Sequence, residues 1–176
     1  MRIVSGFLRG RRFNPPNNLP VRPTTDIAKE SLFNILNNHL DFHNVKALDL
    51  FSGTGNISLE LISRGCISVT SIDNNFKCTD FITKTSEAFK IENIQILKTN
   101  VFNFLKFNST PFDFIFADPP YDLENIESIP DIIFEKKLIT DNGFLVIEHS
   151  RDHNFENHPH FYEHRLYGKV NFSFFQ

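Results

Sequence analysis

The chain has 176 residues, 40% of them hydrophobic, with 21 phenylalanines and no tryptophan, which is the make-up of one globular domain with a sizeable core. No apolar run approaches a membrane span, the first residues carry arginine instead of an apolar leader, and Cys66 and Cys78 stand outside any Cys-x-x-Cys pattern. A cytoplasmic protein without disulfide or metal is expected, and a net charge of −3 argues against nonspecific nucleic-acid binding.

The distribution of charge argues the other way. Residues 1–25 hold five arginines (Arg2, Arg9, Arg11, Arg12 and Arg22), no lysine and no acid. Arginine suits bidentate phosphate contact and stacking on bases, although a solvated charged edge reads the same. Within this stretch, residues 1–13 read as a small β-hairpin broken at Gly6 and Arg9-Gly10, and 14–23, rich in Pro and Asn, as a loop. Thr25 then caps a helix, with Asp26 at the positive end of its dipole. Ala28, Leu32, Ile35 and Leu36 give that helix one buried face.

From Lys46 onward apolar strands alternate with helical segments. Strands are predicted over 46–51, 67–73, 94–98, 112–118 and 143–148, and helices over 56–64, 76–90, 101–107 and 125–137. This alternation predicts a parallel sheet covered on both faces. In the tail, 162–166 and 169–175 read as two strands joined by a tight turn at Gly168, pairing antiparallel at the sheet edge.

The first strand ends in Asp49-Leu50-Phe51-Ser52-Gly53-Thr54-Gly55, and a helix follows. Gly53 and Gly55 let the backbone approach a ligand, and the helix N-terminus offers free N–H donors. Ser58 stands where the third glycine of the dinucleotide fingerprint belongs, which disfavours NAD. Asp73 lies 18 residues after Gly55, at the tip of the second strand and followed by Asn74. There it can accept hydrogen bonds from both ribose hydroxyls, although a helix-capping aspartate is the plainer reading. After the third strand, Asn100 can read an adenine amino group and Val101 can pack on the ring. An adenosine cofactor without a pyrophosphate fits best, and S-adenosylmethionine is the candidate. Its expected contacts are Asp49, Phe51, Ser52, Gly53, Gly55, Asp73, Asn74, Asn100 and Val101.

The fourth strand runs into Asp118-Pro119-Pro120-Tyr121. Proline lacks an N–H and holds its predecessor extended, so the tip is a rigid ledge rich in acceptors. Such a ledge grips an amino group: the Asp118 carboxylate and the Pro119 carbonyl accept its two hydrogens, and Tyr121 stacks on the ring. These four residues are the expected catalytic set. The alternative is a loop-capping Asp118 with Tyr121 in the core. His149, His153, His158, His160 and His164 match no standard ligand spacing and are interrupted by Pro159, so they are expected in a solvated loop, with no metal.

These motifs, in this order and on these strands, resemble the class I methyltransferases that modify amino groups. Met1-Arg2-Ile3-Val4-Ser5-Gly6, Arg9-Gly10-Arg11 and the run from Arg22-Pro23-Thr24-Thr25-Asp26 through Lys29-Glu30-Ser31-Leu32-Phe33-Asn34 resemble RsmD-type 16S rRNA guanine-N2 methyltransferases. The closing Tyr167-Gly168-Lys169-Val170-Asn171-Phe172-Ser173-Phe174-Phe175 is similar to that family's final strand. Asp-Pro-Pro-Tyr is shared with DNA adenine-N6 enzymes, whereas the Arg-Pro-Thr-Thr-Asp segment is far more specific. The stretch 149–164 departs from the family pattern.

The resemblance covers nearly the whole chain and implies a Rossmann-like class I fold. Its sheet would be seven-stranded and mostly parallel, with an antiparallel C-terminal strand. Residues 1–23 would form a basic β-hairpin and loop extension to a methyltransferase domain over 24–176. The resemblance also implies methyl transfer from S-adenosylmethionine to a guanine N2 of 16S rRNA, free or in an assembling small ribosomal subunit, by a monomer. Arg2, Arg9, Arg11, Arg22 and Thr24 are the RNA contacts expected from the arginine run and the resemblance together, with Arg22 and Thr24 near the methionine end of the cofactor and the target base. Adenine-N6 transfer is the alternative chemistry, and a non-catalytic nucleotide- or RNA-binding module is the alternative class.

Overall fold

A computed structural model describes residues 1–16, 19, 26–168 and 170–176. Thr25, expected as a helix cap, and the loop around Pro23 lie outside the described residues. The order of elements is α1 (Asp26–Leu36), β1 (Lys46–Leu50), α2 (Asn56–Ser63), β2 (Ser68–Asp73), α3 (Phe76–Phe89), β3 (Ile94–Lys98), α4 (Val101–Phe107), β4 (Phe112–Ala117), α5 (Ser128–Glu135), β5 (Ile139–His149), β6 (Phe161–Tyr167) and β7 (Val170–Phe175). The strands form a seven-stranded sheet in the order β3-β2-β1-β4-β5-β7-β6. β1 to β5 are parallel, and β7 runs antiparallel to both of its neighbours, β5 and β6.

Side-chain alternation along the strands sorts the core into two layers. Ala47, Phe114, Phe116, Val146, Phe172 and Phe174 face α1 and α2, where they meet Ala28, Leu32, Phe33, Ile57 and Leu61. Leu48, Leu50, Ile115, Ala117, Leu145 and Ile147 face the other way, onto α4 and α5 through Leu105, Ile129 and Ile133. Both faces of the central strands are therefore apolar, as the doubly covered sheet demands. Among the described residues no helix is long and apolar enough to cross a membrane.

Some expectations change in detail. The N-terminal hairpin is short: the Arg2–Arg12 antiparallel bridge is flanked by Ile3 N donating to Arg11 O at 2.9 Å, Gly10 N to Ile3 O at 2.8 Å and Phe13 N to Met1 O at 3.2 Å. Between its arms the chain is fastened to α2: Val4 N and Ser5 N donate to the Glu60 carboxylate at 2.8 and 3.0 Å, and Phe7 N donates to Ser63 O. Gly6, at φ 80°, passes so close to α2 that an added Cβ would lie 1.6 Å from Ser63 O. The segment is fastened to α2 and buries Ile3, Leu8 and Phe13 against Leu59.

The helix expected over 125–137 is shorter, Ser128–Glu135, and Lys137 leaves it at φ 54°. The strand after it starts earlier than expected, at Ile139, and shifts register against β4 between Phe112 and Phe114. Gly143 sits at that irregularity, where an added Cβ would meet Asp113 O at 2.9 Å. In the tail, β6 and β7 pair antiparallel at the sheet edge as expected, with β6 outermost. β7 lies inside the sheet because Phe172, Phe174 and Phe175 are buried on its two faces.

The histidines form a solvated loop only in part: His153, His158 and His160 lie between β5 and β6, and His160 and His164 are exposed. His149 closes β5 in a buried position, with Nε2 2.8 Å from Ser173 Oγ. The His160 ring stacks on Phe134 at 3.9 Å between centroids, and His158 packs against Phe175. The rings pair with the phenylalanines that cover this end of the sheet, which a polarity count cannot show. Burial holds His149 and His158 below the ordinary histidine pKa.

Candidate active site

The carboxyl ends of β1, β2, β4 and β5 open into one cavity of about 830 Å³, a position at which open α/β sheets bind ligands. Its first wall is the turn after β1. Phe51 and Gly53 take left-handed conformations at φ 61° and 52°, so the chain reverses within two residues of the strand. The turn is clamped to the next strand: Ser52 N donates to Ile72 O at 2.9 Å, and Gly53 N donates to Asp73 Oδ2 at 2.8 Å. Asp73 Oδ1 accepts Asn75 N at 2.8 Å. The helix-capping reading of Asp73 therefore holds in part, since its carboxylate orders the entry to α3. Each of its oxygens keeps further acceptor capacity, and Asp73 lines the cavity.

Asp49 is buried beneath this turn and ties β1 to α2 by accepting Ser58 N at 3.0 Å and the Ser58 hydroxyl. The serine that spoils the glycine fingerprint is thus the donor that satisfies a buried acid. Burial pushes the Asp49 carboxyl up to about 7, against the opposing pull of the Ser58 hydrogen bonds. Asn100 lines the cavity and caps α4, its Oδ1 accepting Asn103 N at 3.1 Å. Val101 beside it is buried, and Asn74 is exposed on the rim. Gly55, expected at the ligand, is not among the lining residues. An added Cβ there would lie 2.9 Å from Ile82 Cγ1, so this glycine lets α3 pack closely against the turn.

The second wall is Asp118-Pro119-Pro120-Tyr121, all four lining the cavity. The Asp118 carboxylate accepts no hydrogen bond from any described residue, which removes the loop-cap reading. Burial raises its pKa well above the ordinary carboxylate value, and the neighbouring Glu148 and Asp49 raise it further. Tyr121 is 70% exposed on the rim, so its ring is available for stacking and is not part of the core. Ile27 and Ala28 of α1 and Tyr167, Gly168 and Val170 around the β6–β7 turn complete the enclosure. Cys78 also lines the cavity, but burial pushes its thiol up to about 11, and that of Cys66 to about 12. Neither is a thiolate nucleophile at neutral pH.

The expected RNA contacts divide. Arg2 is half-exposed and pairs with Asp26 at 3.3 Å and Glu30 at 3.2 Å. Arg9 is exposed, and Arg11 lies 5.0 Å over the Phe89 ring with its face to solvent. Arg22 and Thr24 lie outside the described residues. Sequence reasoning missed two features. Lys29 and Glu60 are fully buried together at 3.3 Å, with Lys29 Nζ also donating to Arg2 O and Asn56 Oδ1. Burial lowers the Lys29 pKa although Glu60 opposes it. Glu148, at the end of β5, lines the cavity beside Asp118. Its signal was an acid closing the fifth predicted strand.

A family model described as Conserved hypothetical protein 95 matches residues 1–176, the whole chain. The Ribosomal RNA small subunit methyltransferase D of Buchnera aphidicola is 33% identical over 150 residues, covering 85% of this chain and 78% of the relative. The chain belongs to the RsmD-type methyltransferase family. The solved structure of Escherichia coli yhhF superposes on this RsmD-type chain with a TM-score of 0.87 at 26% identity, covering 100% of this chain and 97% of the other. A Thermus thermophilus 16S rRNA N2 G1207 methyltransferase, RsmC, solved with AdoMet and guanosine, shares the fold alone. Its TM-score is 0.69 at 18% identity, over 87% of this chain and 43% of the other. The fold is that of class I methyltransferases.

Proposed function

We propose that the chain transfers a methyl group from S-adenosylmethionine to the exocyclic N2 amino group of a guanine in small-subunit ribosomal RNA. The observation that carries this reading is the opening of two motifs into one cavity of about 830 Å³, the Gly53–Asp73 clamp on one side and the 118–121 ledge on the other. The volume lies in the upper part of the ligand-pocket range of roughly 300–1,000 Å³, which leaves room for a cofactor and an inserted base.

The residues present fit the cofactor. Asp73 offers carboxylate acceptors to ribose hydroxyls, Gly53 brings bare backbone to the cavity, and Val101 supplies an apolar surface for a purine. When bound, S-adenosylmethionine supplies an electrophilic methyl on a sulfonium. The protein's task is the other partner. An exocyclic amino nitrogen is a poor nucleophile because its lone pair is delocalised into the ring. Asp118 and the Pro119 carbonyl accept its two hydrogens, favour a tetrahedral nitrogen and so localise that lone pair. As the nitrogen gains the methyl and becomes cationic, the Asp118 carboxylate stabilises the developing charge and takes up the proton that the nitrogen then sheds, and fixed positioning supplies much of the remaining acceleration. Tyr121 stacks on the extruded base, a contribution of about 1–3 kcal/mol, and thereby holds it out of its helix. The kinship with small-subunit ribosomal RNA methyltransferases supports the ribosomal substrate.

Nucleoside mass spectrometry of small-subunit rRNA incubated with the protein and labelled cofactor tests this function. N2-methylguanosine is the expected product, and N6-methyladenosine would replace guanine with adenine.

A further inference from the structure

Glu148 has no role in gripping an amino group, yet it lines the same cavity as Asp118. The parallel register Phe116↔Val146 and Ala117↔Ile147 continues one step to Asp118 and Glu148. They stand at the ends of neighbouring strands about 4.8 Å apart. Both have the parity of Phe116 and Val146, whose side chains belong to the layer under α1 and α2. Both side chains therefore project from one face at one level, and the charge of Glu148 acts on Asp118.

A second carboxylate beside an amino-group acceptor has a defined effect on which base fits. Ionised carboxylates only accept hydrogen bonds. The 2-amino group of guanine is flanked by N1–H, a second donor on the same edge. The 6-amino group of adenine is flanked by N1 and N7, both bearing lone pairs that face a carboxylate with repulsion. Two adjacent acceptors therefore match two adjacent donors, and only guanine presents that pair next to its amino group.

We infer that Glu148 is the specificity-determining residue for guanine, its carboxylate accepting the N1–H of the target base while Asp118 holds the N2 amino group. This rests on the guanine-N2 reading and deepens it. A site that hydrogen-bonds a substrate N–H discriminates against an analogue that sets a lone pair against the same acceptor. Replacing the carboxylate by an amide, which can donate or accept, removes the penalty for a lone pair at N1.

The test compares small-subunit particles reconstituted with guanosine or with 2-aminopurine riboside at the methylated nucleotide, once this is mapped. The analogue keeps the 2-amino group and has a lone pair at N1. Wild-type protein is expected to prefer guanosine by about 100-fold or more in kcat/KM, and Glu148→Gln to bring the preference to within about tenfold. The ratio of the two substrates is the readout, because a merely structural defect lowers both rates together. S-adenosylhomocysteine binding by the variant checks its fold. A Glu148→Gln protein that keeps the wild-type ratio overturns the inference, and so does a wild type that accepts both substrates equally, whatever the variant does. Formation of N2-methylguanosine with an unchanged ratio overturns the inference alone. Formation of N6-methyladenosine in its place overturns the function beneath it.

Discussion

At the scale of single residues, the buried acids set both the chemistry and its sensitivity to pH. Asp49 has a pKa of about 7 in the folded chain against an ordinary 3.8. The folded state therefore holds this proton more tightly than the unfolded chain does. Stability from Asp49 is fully present below about 3.8, falls as pH rises through the interval and is lost above about 7. Asp118, raised by burial and by Glu148, adds to the same trend. Asp49→Asn should flatten the fall in melting temperature between pH 4 and pH 8, measured without cofactor, because it removes one ionisation while its amide oxygen can still accept Ser58 N. A wild-type slope retained in the variant would place the sensitivity elsewhere. Residues at strand tips were legible in the sequence: Asp73 and Asp118 announce themselves by closing apolar runs. Glu148 closed such a run too, but its meaning depends on which strand lies beside it, and that is a property of sheet order. Lys29 and Glu60 meet across 31 residues, a separation that local patterning cannot read.

At the scale of elements, the strand–helix alternation was legible because each element of the β1–β5 region carries its own apolar period. The departures occur where an element is decided by a neighbour. The N-terminal segment pairs its arms as its breakers suggest, and what the local pattern does not show is that Glu60 and Ser63 of α2 take the donors of Val4, Ser5 and Phe7 between them. The 118–121 ledge is legible as rigid because two prolines make it so locally. The start of β5 was set too late, because residues 139–142 pair with β4 only across the irregularity at Gly143. Gly55 was assigned to the ligand because glycine turns after a first strand commonly serve one. Its φ of 73° and its contact with Ile82 show that helix packing demands it. The histidines of 149–164 looked polar in a list, whereas their ring faces are used as apolar surface against Phe134, Phe155 and Phe175.

At the scale of the whole molecule, a chain of net charge −3 must approach a polyanion through a local basic surface. The N-terminal segment is the proposed one, held against α2 and α3 by Ile3, Leu8 and Phe13. It also borders the cavity, where the Thr54 hydroxyl meets Met1 Sδ at 3.3 Å. Arg2 is paired with Asp26 and Glu30, so the proposed contact is tested at Arg9 and Arg11. Replacing both by Glu should weaken binding to small-subunit rRNA and make the slope of log affinity against log salt shallower by about one to two units, with cofactor affinity unchanged. An unaltered slope would return these arginines to a solvated edge.

The central claim is that Asp118 activates an amino group beside the methyl donor. Single-turnover methyl transfer by Asp118→Ala, measured together with S-adenosylhomocysteine affinity, tests it most directly. The account predicts a fall in transfer of at least about 100-fold, the scale of losing one preorganised electrostatic group, with cofactor affinity within a few-fold of wild type. Transfer at a near-normal rate by that variant would contradict it.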